Sequence, residues 1–304
     1  MQLGFVSAIF PELSLEDVLK IASDEGFDCL ELMCWPPGKA DRKYAGVTHI
    51  DATNFNAAHA ARTQELLGTT DISISALGYY PNILDADTEA ATRVTQHLLK
   101  VIDTAALLNL TTVNTFIGAD HTRNTAHNLT RFQAVWPDII KHAESKSIHI
   151  AIENCAMLFT NDEWPTGKNL ARSPAIWDQM FEAIPSQNLG LNYDPSHMVW
   201  QHMDHIQPLR DYAQKLFHIH AKDSRIDHQA LNRHGVLAYP LDYHQPRIPG
   251  FGDINWPRFI ATLREVGYDG PVCIEVEDET FPQDLNGRLN ALRTARNTLQ
   301  PYIY

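Results

Sequence analysis

Positive charge is scarce in this chain of 304 residues, which has 24 Lys and Arg against 37 Asp and Glu and a formal net charge of −13. Nucleic acids and anionic membrane surfaces are bound mainly through basic side chains, so the deficit argues against both as partners. No stretch of about 18 consecutive apolar residues occurs, so no membrane-spanning helix is predicted. Residues 1–5 lack a basic segment followed by an apolar core, so no secretory signal peptide is predicted either.

Cysteine is also sparse. The chain has four, Cys29, Cys34, Cys155 and Cys273, and none of them forms a Cys-x-x-Cys pair. Three lie in or beside apolar runs that read as strands, which predicts buried free thiols rather than disulfides. Free thiols fit a reducing compartment, and we therefore expect a cytoplasmic protein.

What the sequence does contain is a repeated alternation of short apolar runs and amphipathic helical segments. In the first helix, Ser14 and Asp17 have the spacing of a capping box, and Gly26 suits the position just past the helix end. The eight predicted strands are residues 3–7, 29–33, 72–77, 112–117, 149–154, 189–194, 216–223 and 272–277. Each is followed by helical sequence, which predicts an α/β fold, a (β/α)8 TIM barrel forming one domain over residues 1–304. An open doubly wound sheet is the alternative, weakened because no Gly-x-Gly-x-x-Gly motif follows the first strand.

Two long segments follow strands of the predicted barrel, residues 36–62 and residues 225–251. Segments that follow strands lie at the C-terminal face, where barrel enzymes build their active sites. The second segment is rich in His, Arg, Tyr and Pro. We expect it to form a lid or a wall of the substrate site.

Four neighbouring predicted strands end in side chains that can bind a metal ion. They are Glu153, Asp194, His220 and Glu275. Three carboxylates and one imidazole suit a hard or borderline divalent ion, so we expect one ion per chain, with Mn²⁺ preferred and Mg²⁺, Co²⁺ or Zn²⁺ as alternatives. A single carboxylate at a strand end is commonly just solvated, but four on successive strands are hard to obtain by accident.

The seventh strand offers two histidines. Alternation places His218, His220 and Lys222 on the same face, and His220 lies nearer the mouth of the barrel. We therefore predict His220 as the ligand and His218 as a hydrogen-bonded histidine one layer deeper. Asp223 and Glu277 either orient the ligands or are ordinary loop charges.

Several short motifs carry a resemblance to a known family. They are residues 194–197 (Asp-Pro-Ser-His), 218–223 (His-Ile-His-Ala-Lys-Asp), 247–250 (Arg-Ile-Pro-Gly), 252–253 (Gly-Asp) and 274–277 (Ile-Glu-Val-Glu), with residues 77–82 and 114–118 extending the likeness forward. The chain resembles the sugar phosphate isomerase/epimerase family of xylose isomerase-like TIM barrels over nearly its whole length.

The resemblance implies roles for particular residues. It implies that the same four residues carry the metal ion and that His197 contacts a substrate oxygen. In the ketose 3-epimerase branch the two glutamates, here Glu153 and Glu275, also exchange protons at a carbon next to a carbonyl. Two departures leave epimerisation at carbon 3 open: Phe159 stands where a further substrate-binding acid is expected, and Arg225 is five rather than six residues beyond the histidine.

The DNA-repair endonucleases of the same fold bind a cluster of three metals through extra histidines and acids. Here the third and fourth strands end near Leu77 and Asn114 instead. Together with the negative net charge, this sets a nuclease function aside.

These observations predict a metal-dependent isomerase or epimerase of a small sugar or keto-sugar that acts through a metal-stabilised enediolate. Lys222, His197 and Arg225 would hold substrate oxygens, and Trp35 would stack on a sugar face. The alternative is a lyase on the same scaffold, a dehydratase or a 3-keto-glycoside-cleaving enzyme, in which His197 or His121 donates a proton.

A third hypothesis is a non-catalytic carbohydrate-binding barrel, against which the intact set of four ligands argues. A homo-oligomer is compatible with the sequence. Phosphorylation of the substrate stays open, because Glu277, Asp278 and Glu279 disfavour it while Arg225, Arg233 and Arg247 favour it.

Overall fold

Eight parallel strands hydrogen-bond into a closed ring in the computed structural model, which describes residues 1–38, 45–158 and 160–304. The ring strands are β1 (Gln2–Val6), β2 (Cys29–Met33), β3 (Ser73–Gly78), β4 (Thr112–Thr115), β5 (His149–Glu153), β6 (Leu189–Tyr193), β7 (Leu216–Ala221) and β10 (Pro271–Ile274). The ring closes where β1 pairs with both β2 and β10, with Gln2 opposite Pro271. The predicted (β/α)8 barrel is confirmed, and the alternative open sheet is wrong.

Helices follow the ring strands as the sequence predicts. They are α1 (Leu15–Asp24), α2 (Ala57–Leu67), α3 (Thr88–Leu107), α4 (Thr125–Ser145), α5 (Pro174–Ala183), α6 (Ser196–Val199), α7 (Gln207–Asp211), α8 (His228–His234), α9 (Trp256–Glu265) and α10 (Leu285–Ile303). The capping box of α1 is present: the Ser14 hydroxyl accepts from the Asp17 amide at 3.2 Å, and Asp17 Oδ2 accepts from the Ser14 amide at 3.4 Å. Gly26 takes a φ of 66° just past the helix, as predicted.

The apolar faces of the helices pack on the outside of the ring and form one continuous buried core with it. A smaller cluster, including Val6, Met33, Tyr80 and Phe116, lies with Cys273 toward the inside of the barrel. Among the described helices, none combines the length and apolar character needed to cross a membrane.

The segment after β7 forms a hairpin that the sequence did not predict. Strands β8 (Asp223–Ile226) and β9 (His244–Arg247) pair in antiparallel fashion, and α8 lies between them. The buried carboxylate of Asp223 accepts from the indole of Trp256 at 2.9 Å and from the amide of Gly250 at 3.0 Å. Asp223 therefore ties the end of the hairpin to the start of α9. Its predicted alternatives, a ligand-orienting group or a loop charge, are both wrong, because these donors occupy the carboxylate.

Candidate active site

A cavity of about 300 Å³ opens at the C-terminal ends of the ring strands. Its polar wall includes Glu153, His197, His220, Lys222, Glu275 and Glu277. The apolar wall includes Trp35, Tyr80, Phe116, Met157, Trp200 and Pro240. A cavity at the lower end of the usual size range for ligand pockets suits a small molecule with both hydroxyl groups and apolar carbon faces.

Three of the four predicted metal ligands lie within reach of one ion. His220 Nδ1 is 3.7 Å from Glu153 Oε2 and 3.5 Å from Glu275 Oε2. These three residues offer ligand atoms that all lie within 4.8 Å of one another. Each side chain comes from a strand end: Glu153 is the last residue of β5, His220 is the penultimate residue of β7, and Glu275 follows β10 directly.

Asp194, the fourth predicted ligand, adjoins this group. It follows β6 and is fully buried. Its Oδ2 lies 3.2 Å from His197 Nε2 and 3.4 Å from Lys222 Nζ, while its Oδ1 accepts from the Ser196 amide at 2.8 Å. That last bond fixes the first turn of α6. Pro195 ends the strand and would predict a loop at His197, which is wrong, because the Asp194 carboxylate starts a short helix there.

Lys222 brings a buried positive charge into the cluster. Its ammonium lies 2.9 Å from Glu275 Oε2 and 3.0 Å from Glu277 Oε2, in addition to Asp194. Burial alone would lower the pKa of Lys222, but Glu275, Glu277 and Asp194 outweigh it and hold that pKa well above its usual value. Lys222 is therefore a permanent cation, and Glu277 belongs to the site.

The donor set fits a divalent cation. Among the described residues, three buried polar atoms that face this cluster have no hydrogen-bond partner: Asp194 Oδ2, His197 Nε2 and His220 Nδ1. Buried polar atoms rarely stay unpaired unless an ion, a water molecule or a ligand satisfies them. Four carboxylates surround the single ammonium of Lys222, so negative charge is in excess and oxygen is the main donor type, as divalent cations require.

The two glutamates differ in their affinity for protons. Burial raises the pKa of Glu153 above its usual value. Burial acts in the same direction on Glu275, but Lys222 and His220 outweigh it and hold the pKa of Glu275 well below its usual value. Two carboxyl groups with opposite shifts in one cavity can act as an acid and a base.

Glu31 on β2 is a residue of the candidate site that was not predicted from the sequence. It is fully buried, and it accepts from His220 Nε2 at 2.7 Å, from Asn114 Nδ2 at 2.9 Å and from the Tyr80 hydroxyl. Burial would raise the pKa of Glu31, but His220 outweighs it and holds that pKa below the usual value. The signal in the sequence was an acid between Leu30 and Leu32 in an otherwise apolar strand.

His218 occupies the deeper layer as predicted. It is fully buried, with Nδ1 3.0 Å from Asn192 Oδ1 and Nε2 3.1 Å from the Ser75 hydroxyl.

The remaining predicted substrate contacts are spread more widely. Trp35 lines the cavity and packs edge-to-face on Tyr79 with ring centroids 4.9 Å apart. Arg225 lies on β8 with its side chain exposed to solvent, and His121 lies in the turn between β4 and α4; neither lines the cavity. Phe159 is outside the described residues. Of the four free cysteines, three are buried as predicted, whereas Cys155 is partly exposed and lines the cavity.

A closed (β/α)8 barrel with carboxylates and histidines converging at its C-terminal mouth defines the class: a TIM-barrel protein with a candidate site for a divalent cation. The model of the xylose isomerase-like TIM-barrel family matches residues 19–300, and the chain belongs to this family.

Relatives in sequence carry two kinds of name. The protein YfiH of Bacillus subtilis, described as uncharacterized, is 24% identical in an alignment of 303 positions that covers 92% of this chain and 94% of YfiH. An inosose dehydratase of Geobacillus thermodenitrificans is 26% identical over 104 residues, which is 34% of this chain and 35% of the dehydratase. The match to the dehydratase thus spans about a third of either protein.

Solved structures share the whole fold. The IolI protein with a bound zinc atom superposes with a TM-score of 0.71 at 17% identity, covering 100% of this chain and 98% of IolI. The D-psicose 3-epimerase of Clostridium cellulolyticum H10, solved with D-tagatose, gives a TM-score of 0.70 at 14% identity and covers 100% of this chain and 99% of the epimerase. At these identities the likeness establishes the fold.

Proposed function

We propose that this protein is a divalent-metal-dependent isomerase or epimerase of a small sugar or keto-sugar. The observation that carries the proposal is the placement of the Glu153 and Glu275 carboxylates within 3.7 Å and 3.5 Å of His220 Nδ1 in one buried cavity. Two carboxyl groups of opposite proton affinity beside one metal-binding nitrogen are what proton exchange next to a carbonyl requires.

The side chains divide the work. A divalent cation held by Glu153, Asp194, His220 and Glu275 would supply a Lewis acid for substrate oxygens. Glu275, the more acidic of the two glutamates, accepts the proton from carbon, and Glu153 holds the proton that is returned. His197 contacts a substrate oxygen, Lys222 neutralises charge that develops beside Glu275, and the apolar wall around Trp35 excludes water.

The test is exchange of a carbon-bound hydrogen in D₂O. A panel of neutral and phosphorylated ketoses would be incubated with the purified protein and Mn²⁺, and deuterium incorporation read by NMR. We expect incorporation into one carbon next to the carbonyl, without change in the carbon skeleton. If no ketose or keto-polyol exchanges hydrogen with Mn²⁺, Co²⁺ or Zn²⁺ present, the proposal is wrong.

A lyase is the second candidate, and the similarity to proteins named inosose dehydratase favours it. The same proton abstraction would then be followed by loss of a group from the next carbon, as water or as an alcohol. His197 is the proton donor for that group, since it lines the cavity and His121 does not. Loss of 18 mass units per turnover, about the mass of one water molecule, or release of an aglycone from a 3-keto-glycoside would identify this reaction.

The proposal also includes Mn²⁺ as the ion, a cytoplasmic location and a small molecule as the partner. Mn²⁺ suits the oxygen-rich donor set with one imidazole. The free cysteines agree with a reducing compartment. Metal analysis of protein purified without added ions would identify the metal, and sedimentation would establish whether the protein forms a homo-oligomer.

A further inference from the structure

Two buried histidines each present one unpaired ring nitrogen to the cavity. The unpaired atoms are His197 Nε2 and His220 Nδ1, and no described residue forms a hydrogen bond with either. A neutral imidazole has one nitrogen that carries a proton and one that carries a lone pair. Whether each nitrogen facing the cavity is a donor or a ligand therefore depends on what the other nitrogen of the same ring contacts.

The second nitrogen of His197 is fixed by Trp200. The indole Nε1 of Trp200 lies 3.1 Å from His197 Nδ1 and donates to it. An indole N–H can only donate, so Nδ1 must carry the lone pair and the ring proton must be on Nε2. Trp200 is itself buried and stacks on His244 with centroids 5.5 Å apart and ring planes 12° apart, which holds the indole in place. The nitrogen that His197 presents to the cavity is thus an N–H donor.

The second nitrogen of His220 has the opposite kind of partner. Glu31 Oε2 lies 2.7 Å from His220 Nε2 and also accepts from Asn114 Nδ2 at 2.9 Å. An oxygen that accepts the amide hydrogen of Asn114 acts as an acceptor toward the imidazole as well, so Nε2 carries the ring proton. Asn192 Nδ2 also lies 3.0 Å from this nitrogen, and it donates one of its two hydrogens to the Tyr80 hydroxyl at 3.2 Å. The shorter contact of Nε2, 2.7 Å to the charged Glu31 carboxylate, is the stronger hydrogen bond and selects the tautomer. When a divalent ion is bound, the ring is neutral and Nδ1 carries the lone pair that faces Glu153 and Glu275.

We propose that Trp200 and Glu31 are positioning residues that give the two cavity histidines opposite functions, His197 as a hydrogen-bond donor to a substrate oxygen and His220 as a metal ligand. The proposal rests on the proposed function in two places, where it calls the acceptor of the His197 hydrogen a substrate oxygen and where it places a divalent ion on His220. As long as Trp200 donates to His197 Nδ1, the proton stays on His197 Nε2. His197 Nε2 therefore does not bind the ion, because a nitrogen that carries a proton has no lone pair for a metal.

The direct test is the protonation pattern of the two rings in the protein loaded with Zn²⁺. Two-bond ¹H–¹⁵N spectra of protein labelled with ¹⁵N-histidine distinguish a protonated, a free and a metal-bound nitrogen, and His197→Gln and His220→Gln assign the two rings among the 15 histidines. We expect His197 protonated at Nε2 with a free Nδ1, and His220 protonated at Nε2 with zinc on Nδ1. Zinc on His197 Nε2, or a proton on His220 Nδ1, would overturn the proposal. This result would come from the wild-type protein, with no need of a variant that tests the causes.

Two variants test the causes. Trp200→Phe keeps an aromatic ring but removes the N–H, and we expect the His197 proton to redistribute between Nδ1 and Nε2 while zinc affinity does not weaken. The matched control is Trp164→Phe, which removes an indole N–H from the same side of the cavity, where it donates to the Leu237 carbonyl at 3.0 Å, and should leave the His197 pattern unchanged. An unchanged His197 pattern in Trp200→Phe would show that the indole does not select the tautomer.

Glu31→Gln should weaken Zn²⁺ binding by about 10–100-fold, the usual effect of losing a hydrogen-bond acceptor behind a metal-binding histidine, and should place part of the His220 proton on Nδ1. A purely structural role for Glu31 would lower the melting temperature and leave the ring pattern intact, which counts against the proposal. None of these readouts uses turnover. Correct ring patterns in a protein with no exchange activity would refute the proposed function and leave this inference standing.

Discussion

At the scale of single residues, the strand ends revealed the candidate ligands because each polar side chain lies at or next to the C-terminal end of an apolar run. Glu153, Asp194, His220 and Glu275 could be found in this way, and the structure brings them to one mouth. The partners of the two histidines could not. Glu31 and His220 are 189 positions apart, and no local pattern links them. Arg225 was predicted as a substrate contact although its spacing from the histidine departs from the family pattern, and on β8 its side chain is exposed to solvent.

The proposed role of Glu275 as a base predicts the behaviour of one substitution. Glu275→Gln preserves the shape of the side chain and one oxygen for the ion but removes the proton acceptor. We expect turnover to fall by roughly 10²-fold or more, the usual contribution of a general base, while some metal is retained. Hydrogen exchange in D₂O and metal content measure the two effects. Near-normal exchange would exclude Glu275 as the base.

The two histidines should respond differently to removal. His220→Ala deletes a nitrogen that faces Glu153 and Glu275, so we expect the purified variant to lose its ion. His197→Ala deletes a donor and should change KM or kcat while the metal content stays close to one ion per chain. Mass spectrometry of the metal in both variants, purified alike, makes the comparison. Equal loss of metal from both would make His197 a ligand.

At the scale of elements, the alternation of short apolar runs with amphipathic helical segments predicted every ring strand. The hairpin between β7 and α9 was not predicted. A hairpin with no tight two-residue turn leaves a weak signal, and the four-residue strands β8 and β9 are separated by α8. The strand β1 shows a different kind of constraint, which spacing alone cannot reveal. Gly4 on β1 lies between Cys29 on β2 and Cys273 on β10, and its lack of a side chain leaves room for Cys29.

Gly4→Ala should therefore destabilise the barrel. A Cβ at this position would meet the carbonyl oxygen of Cys29 and would lie 2.6 Å from its Sγ. We expect the free energy of unfolding to fall by about 1–3 kcal/mol, the usual cost of overpacking a filled core, as measured by urea denaturation. Gly68→Ala is the control: it lies at the end of α2 with a φ of −64°, and its nearest neighbours would be 3.4 Å away. Equal stability of the two variants would show that the barrel relaxes around Gly4.

At the scale of the whole molecule, the closed barrel was predictable because eight units repeat the same alternation, and only a ring leaves no strand unpaired at an edge. The charge interactions at the mouth of the barrel were harder to predict from the sequence. Lys222 and Glu277 could be assigned a face or a loop, but their contacts depend on how β7 and β10 are registered, with Ala221 beside Ile274. The result is a cluster in which Glu153, Asp194, Glu275 and Glu277 repel one another around a single ammonium.

A divalent ion should relieve that repulsion and stabilise the fold. Binding to the folded state alone stabilises by about 2.7 kcal/mol when the free ion is at 100 times its Kd. We expect the melting temperature of chelator-treated protein to rise with added Mn²⁺, by an amount that depends on the Mn²⁺ concentration. The double variant Glu153→Gln with Glu275→Gln is the control and should lose this dependence. A melting temperature that does not change when Mn²⁺, Co²⁺ or Zn²⁺ is added would argue against an ion site at the mouth.

The closure of the ring between β1 and β10 has a consequence for the order of folding and metal binding during synthesis on the ribosome. Glu31 is synthesised early and Glu275 near the end of the chain. Strand β2, which carries Glu31, pairs with β1, and β1 pairs with β10, which Glu275 follows. A nascent chain that lacks residues 271–304 has neither β10 to close the ring nor Glu275 to complete the set of candidate ligands. The proposed ion would therefore meet its full set of ligands only after Glu275 has been synthesised and the ring has closed.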